Sequence, residues 1–572
     1  MCGIVGIVSL KKINEKKSKV FQKAIKAIKH RGPDDTKFYQ DENIIFGYNR
    51  LAIRGKKEKT NQPLLVDRWV CFANGENYSF KEENSDLCDL EPLMKEIIKN
   101  NVSNDADFSA ALWNSDEKEL ILSRDFFGVK PLFVKWLNNT DLAFASEIRA
   151  LKKLTHLEAD NNTIFDYLLF GYPLPPYSFY KNVFSLPPNT ILRWNLKNDQ
   201  INIFGGLFEE LKKISSNSKV ESDVDELKKN LISSTQKRLL SNVPVGMSFS
   251  GGFDSSLLAC IAHKMKKISF FTGYRNKHDK DLTISKLLCK KNKLSHKCVK
   301  IIDKNHFKKL ISVLDTPLMS SGAIVPYIIA KIAQKEKIKV MLAGQGADEL
   351  FWGYARFLNV KNIHSKTTAI KLLLNITEGA FKNIFKDDNI SLTKVVRPYF
   401  TLLTNNDIKK DIYNFYILAF LQELLRIEDH VYMYHSIENR VPFLSKEIYS
   451  YISQKGISTI FTQKRSKELI LELHKNMNTF IDISLKKRNM NGSTQNIIQD
   501  LLDNQQLSIR SFEKNNFVSE QDTKVLYRLL SLFEWGKQNN YKINISSVTA
   551  RKYGFSCDFF KNLFLKTRES RP

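Results

Sequence analysis

The apolar run Val243 to Phe249 leads directly into Ser250-Gly251-Gly252-Phe253-Asp254-Ser255-Ser256, and that loop leads into Leu257, Leu258, Ala259 and Ile261 at helical spacing. Few folds accommodate such a junction. The run is short and bounded by turn residues, which predicts a buried strand, and the leucine-rich continuation predicts a helix. A strand, a glycine turn bearing hydroxyls and a helix N-terminus make a cradle of backbone N–H groups for phosphate, reinforced by the helix dipole. The spacing is not G-x-x-x-x-G-K, which argues against the mononucleotide-kinase loop. Strand-like runs at Ile268 to Thr272 and Val340 to Ala343 alternate with helix-period segments from Val224 onward, predicting a parallel α/β sheet with added helices.

At 572 residues the chain exceeds what one hydrophobic core usually organises, so two or more domains are expected. The first part has a different texture. Short β-rich runs at Gly3 to Leu10, Ile44 to Ile53, Trp69 to Ala73, Ala110 to Trp113, Glu119 to Leu122 and Leu142 to Ala145 predict a layered sheet domain over 1–195. The polar, serine-rich stretch in 196–223 reads as a linker, 224–572 as the second domain, and Lys361 to Asp411 as an insertion.

Composition narrows the function class. No window approaches the roughly 18 apolar residues of a membrane span, and Met1 to Leu10 has neither a basic flank before it nor a cleavage site after it. Seven scattered cysteines without a C-x-x-C pair argue against a disulfide framework or a zinc site and for a cytoplasmic location. The net charge of +27 raises nucleic acid as a partner, but the lysines are spread along the chain with no compact basic block among aromatics. Nucleic acid is therefore not expected, whereas anionic ligands such as nucleotides or acidic substrates are.

At the other end, Met1-Cys2-Gly3-Ile4-Val5-Gly6 puts a cysteine directly after the initiator methionine. Without that methionine, Cys2 carries a thiol and a free α-amine, a nucleophile with its own base. His30-Arg31-Gly32-Pro33-Asp34-Asp35, Gly47-Tyr48-Asn49-Arg50-Leu51-Ala52-Ile53, Gln62-Pro63-Leu64 and Asn74-Gly75-Glu76-Asn77-Tyr78 follow in order. So do Ser123-Arg124-Asp125-Phe126-Phe127-Gly128-Val129-Lys130-Pro131-Leu132 and Phe144-Ala145-Ser146-Glu147-Ile148.

With these motifs the chain resembles the N-terminal-nucleophile glutaminase domain of the asparagine synthetase family. The resemblance implies an αββα sandwich with Cys2 as nucleophile and an oxyanion hole from Asn74 and the Gly75 N–H. It implies a glutamine pocket of Arg50, Leu51, Ala52, Ile53, Asn74, Gly75, Glu76 and Asp89, with Asp86 as the competitor for the last position. Arg50 suits the α-carboxylate and the acidic pair the α-ammonium. Arg31, Arg124 and Lys130 read equally well as catalytic groups or as structural salt bridges or turns. The segment between Glu76 and Asp89 is shorter than the family usually shows, and Asn77-Tyr78-Ser79 stands where Ile-Tyr-Asn is common.

The second part resembles the family's synthetase domain, an adenine-nucleotide hydrolase-like fold, and its loop resembles that of ATP pyrophosphatases. Further matches are Phe270-Phe271-Thr272-Gly273-Tyr274, Asp315-Thr316-Pro317, Ala323-Ile324-Val325-Pro326, Leu342 to Tyr354, and Glu423 to His430 running into Ser436 to Leu444. The resemblance implies ATP at Ser248, Ser250, Gly251, Gly252, Asp254, Ser255, Thr272, Ala343 and Gly344, with Thr272 against adenine. Asp254 and Asp348 are the expected Mg²⁺ partners, since hard oxygen ligands suit that ion. Gln345 and Asp348 mark the adenylate-forming site, where Gln345 replaces the family's glutamate. Lys467 reads either as a phosphate contact or as part of a solvated helix face, and Lys486 to Asn489 loosely matches a basic segment.

Together the two halves imply an α/β two-domain ligase. It takes glutamine, ATP with Mg²⁺, and aspartate or another carboxylate such as a sugar uronate, with ammonia passing through an internal tunnel and a homodimer as the candidate assembly. Intact Cys2, Arg50, Asn74, Glu76 and Ser250 to Ser256 argue against a catalytically dead scaffold.

Overall fold

The computed structural model describes residues 2–55, 60–80, 88–216, 223–302, 306–354, 363–374, 397–403, 407–460, 467–477, 520–541 and 553–569, with the single residues 360, 479 and 543. The first half contains β1 (Cys2–Ser9), β2 (Asp35–Gln40), β3 (Ile44–Arg50), β4 (Leu64–Val66), β5 (Trp69–Asn77) and β6 (Ala106–Asn114). They are followed by β7 (Glu119–Arg124), β8 (Phe133–Trp136), β9 (Asp141–Ala145), β10 (Phe184–Ser185), β11 (Thr190–Asn195) and β12 (Gln200–Gly205). Two six-stranded sheets result, ordered β10-β8-β9-β1-β3-β2 and β12-β11-β7-β6-β5-β4.

Alternation along β1 shows how the sheets stack. Ile4 and Val8 enter the core between the sheets with Phe46, Phe72, Trp113 and Phe144, whereas Val5 and Ile7 enter the core with Phe21 and Ile25 of the helix Glu15–Ala27. The helices Glu15–Ala27 and Ile148–Leu154 cover one sheet and Leu90–Ile98 packs on the other, giving the αββα sandwich.

The second half holds a five-stranded parallel sheet of β13 (Val245–Ser248), β14 (Ser269–Tyr274), β15 (Ser295–Lys300), β16 (Val340–Leu342) and β17 (Glu438–Arg440). Its order is β15-β14-β13-β16-β17, so the winding reverses between β13 and β16. Ligands of open α/β sheets sit at such a switch point, beyond the strand carboxyl ends. The helix Phe253–Met265 follows the β13 loop, with Leu257, Leu258, Ala259 and Ile261 buried.

The structure departs from the expected partition in two places. β12 lies inside the segment read as a linker, hydrogen-bonded to β11 over Thr190–Asn195. The final helix, Cys557–Glu569, returns to the first half, where Phe560 and Phe564 join the inter-sheet core beside Trp136 and Trp194. The described parts of the expected insertion are not peripheral: Ile370 and Leu373 are buried in the main core and Tyr399 donates to Asp166 Oδ1 at 2.7 Å.

Buried ion pairs tie the halves together. Arg31 Nη1 meets Glu147 Oε1 at 2.9 Å and Asp429 Oδ2 at 2.7 Å, and Arg238 Nη1 meets Asp105 Oδ2 at 2.8 Å. Both guanidiniums are fully buried, so each is held charged by the facing carboxylates. Arg124 donates to the carbonyls of Gly128, Lys130 and Leu186, and Lys130 Nζ donates to Asn439 O at 3.3 Å. Among the alternatives open for Arg31, Arg124 and Lys130, these contacts are the structural ones.

Candidate functional site

Cys2 opens β1 directly opposite Arg50 at the end of β3, and Asn74 approaches from β5 in the facing sheet. The Cys2 backbone nitrogen donates to Asn74 Oδ1 at 2.9 Å. Asn74 Nδ2 is buried with no hydrogen-bond acceptor. A buried donor left unmatched is costly, and one aimed beside a nucleophile is what an oxyanion requires. Its strand is fixed by Gln62, whose side chain brackets Ala73 through both backbone groups, at 3.0 and 2.7 Å. At Gly75 a Cβ would lie 2.2 Å from Asp107 O, so the close pairing with β6 requires glycine.

Burial pushes the Cys2 thiol up, opposed by a hydrogen bond from the Leu51 backbone and by the Arg50 charge. The thiol therefore needs a base to ionise. Leu51, Ala52 and Ile53 form an irregular segment after β3, held by Ala52 N donating to Asp34 Oδ2 at 2.7 Å and Asn242 N donating to Ile53 O at 2.9 Å. Arg50 Nη2 donates to Thr60 Oγ1 at 2.7 Å.

Glu76 and Asp89 converge. Arg54 Nη1 lies 3.6 Å from Glu76 Oε2 and 3.9 Å from Asp89 Oδ2, and Asn77 N donates to Asp89 Oδ2 at 3.0 Å. Burial and the Asp89 charge push the Glu76 carboxyl up to about 7. Asp86 lies outside the described residues. Arg54, and Arg440, matched only within Ser436 to Leu444 and reaching Glu76 Oε2 at 3.7 Å from β17, are not read from the sequence as part of the glutamine pocket. Their contacts join residues distant in the chain, and no local spacing announces them.

The second site is a cavity of about 320 Å³ at the switch point. Ser248, Ser250, Gly252, Asp254, Ser255, Ala343, Gly344, Gln345 and Asp348 line it. Gly251, with φ of 74°, makes the turn and packs against Ile284 rather than facing the cavity. Ser250 Oγ and Ser255 Oγ are 3.2 Å apart across the loop. Thr272 is placed differently from expectation: its hydroxyl bonds Phe249 O and His296 Nε2, while the flanking Phe271 and Gly273 line the cavity.

Lys467 is not on a solvated helix face. It is 2% exposed, and its Nζ bridges Asp254 Oδ2 and Asp348 Oδ1, the latter at 2.7 Å. Gly353 permits this, since a Cβ there would overlap both Asp348 and Lys467. Two carboxylates converging on one cation suit a hard divalent ion that takes its remaining ligands from water and phosphate oxygens, as Mg²⁺ does. Lys486 to Asn489 lie outside the described residues.

Among the described residues, no helix is long and apolar enough to cross a membrane. A family model for asparagine synthase matches residues 226–477, and one for a glutamine amidotransferase domain matches 1–204. Asparagine synthetase [glutamine-hydrolyzing] 1 of Bacillus subtilis is 26% identical, over 87% of this chain and 90% of that protein. Asparagine synthetase 2 of the same organism is also 26% identical, over 79% and 66%. A Methanocaldococcus jannaschii protein, provisionally named asparagine synthetase 2, is 30% identical over 63% of this chain and 76% of its own length. The chain belongs to the glutamine-hydrolysing asparagine synthetase family.

Proposed function

We propose that the protein transfers the amide nitrogen of glutamine to a carboxylate activated by ATP, with L-aspartate as the acceptor and asparagine as the product. The observation that carries this reading is the pairing, in one chain, of a buried thiol beside an unmatched Asn74 donor with a phosphate loop facing two convergent carboxylates.

At the first site Arg50 would hold the glutamine α-carboxylate, and Glu76 with Asp89 its α-ammonium. Cys2 attacks the side-chain amide, its proton passing to its own α-amine once Met1 is removed, while Asn74 Nδ2 and the Gly75 N–H take the developing negative charge. Ammonia leaves and water clears the thioester.

At the second site the backbone N–H groups of the Ser250–Ser255 loop and Lys467 would hold the phosphates of ATP. Asp254 and Asp348 would hold Mg²⁺, whose charge offsets that of the pyrophosphate. The acceptor carboxylate displaces pyrophosphate to give an acyl-adenylate, and ammonia then displaces AMP.

Gln345 in the cavity wall favours a second reading, in which the acceptor is another carboxylate such as a sugar uronate. Pyrophosphate release with Mg-ATP and glutamine, with and without L-aspartate, separates the two. Aspartate-dependent pyrophosphate matched by asparagine supports the first reading. Intact glutaminase with no response to aspartate removes it in favour of the second.

A further inference from the structure

Four carboxylates are among the described residues lining the synthetase cavity: Asp254, Asp281, Asp348 and Glu428. Asp254 and Asp348 are paired with Lys467, and Asp281 lies in the first turn of the helix Lys280–Lys291. Glu428 stands on the helix Leu421–Met433 and is tied instead to β17, where Asn439 Nδ2 donates to its Oε2 at 2.5 Å. The next residue of that strand, Arg440, reaches Glu76 in the glutamine pocket. Glu428 is thus anchored to the strand that also touches the glutamine pocket.

The surrounding charges leave this carboxyl uncompensated. On its own helix Arg426 pairs with Glu423 and Asp429 with Arg31, while Tyr432 shares a hydrogen bond with Ser248 on β13 at 2.6 Å. On β17, Glu438 pairs with Arg440, and Lys130 donates to the Asn439 carbonyl. Among the described residues no cation pairs with Glu428, and burial pushes its carboxyl up to about 7. A carboxylate at that value accepts protons efficiently near neutral pH.

We propose that Glu428 is the general base of the amide-forming step, supplying from the helix wall the carboxylate that Gln345 lacks. The inference rests on the proposed function. As the ammonia lone pair forms the C–N bond to the acyl carbon, the carbonyl electrons move onto oxygen and return to expel AMP. One N–H proton of the attacking nitrogen passes to Glu428 and from there to solvent. The products are the amide, AMP and one proton.

The test compares wild type, Glu428→Gln and Glu428→Asp with Mg-ATP and ammonium chloride. L-aspartate, L-glutamate and glucuronate are tried as acceptors, with single-turnover pyrophosphate and amide measured separately and glutaminase activity checking the fold. A general base contributes about 10²–10⁴-fold. Glu428→Gln should therefore keep its pyrophosphate burst and lose at least about 100-fold in amide formation, with Glu428→Asp between. At fixed free ammonia, the wild-type amidation rate should fall as pH drops through about 7, a limb that Glu428→Gln lacks.

Hydroxylamine, neutral and more nucleophilic near pH 7, should restore much of the loss as hydroxamate. An active wild type matched by Glu428→Gln overturns the role alone, as does equal loss of pyrophosphate and amide, which would put Glu428 in acceptor binding. A wild type silent with every acid removes the proposed function and this role with it.

Discussion

Replacing Asn74 with alanine separates catalysis from stability in a way the geometry makes quantitative. Asn74 is fully buried, and its two polar atoms have opposite fates: Oδ1 accepts from the Cys2 nitrogen at 2.9 Å, while Nδ2 has no partner. In the resting protein the unmatched donor costs about 1–3 kcal/mol. Asn74→Ala removes that cost but leaves the Cys2 nitrogen unpaired, a penalty of the same size, so the net change in stability should stay within about 1 kcal/mol.

In the transition state the accounting is one-sided. Loss of one oxyanion donor should lower glutaminase kcat by about 10²–10³, or about 3–4 kcal/mol, with KM changed only slightly because the ground-state carbonyl makes little use of it. Glutamate release measures the first effect and thermal unfolding the second. Ammonia-dependent amide formation should be unchanged. A fall in kcat of less than tenfold in a folded protein, or an equal fall in the ammonia-dependent reaction, would refute the assignment.

Other consequences can be checked directly. Glu76 must be ionised to hold an ammonium group, and burial beside Asp89 raises its carboxyl to about 7. kcat/KM for glutamine should therefore fall as pH drops through about 7, and Asp89→Asn should move that limb to lower pH; a wild-type limb near pH 5 contradicts the arrangement. Lys467→Gln leaves Asp254 and Asp348 facing each other without their cation, and should cut pyrophosphate release by tenfold or more while sparing glutaminase. Arg31→Leu strands Asp429 in the interior, while Glu147 keeps Arg149 and His30, and should destabilise the protein by about 3–5 kcal/mol in denaturant unfolding; a change below about 1 kcal/mol would mean the cluster does not join the halves.

What the sequence revealed follows from where the information lies. The Ser250–Ser256 loop is legible because a glycine turn between strand and helix restricts the residue types, whereas Cys2, Asn74 and Gly75 are legible through the ordered motifs that resemble the glutaminase domain. The strand β12 was hidden because Asn, Gln and a single-residue alternation resemble a polar linker, and only pairing with β11 makes it a strand. Lys467 stays open between a phosphate contact and a solvated face because the segment around it is basic; its burial depends on two aspartates more than 100 positions away. The same holds for Arg440, whose contact with Glu76 is set by how the two halves dock. Thr272 matched by position, yet its hydroxyl turns to Phe249 and His296, a choice of rotamer that spacing does not encode.

The central claim is that nitrogen freed at Cys2 is the nitrogen installed at the ATP site. Glutamine labelled with ¹⁵N in its amide, supplied with Mg-ATP, L-aspartate and excess unlabelled ammonium chloride, tests it by mass spectrometry of the product. The account predicts predominantly labelled asparagine from the wild type, and unlabelled asparagine alone from Cys2→Ala. Labelled ammonia free in solution beside an unlabelled product in the wild type would contradict it.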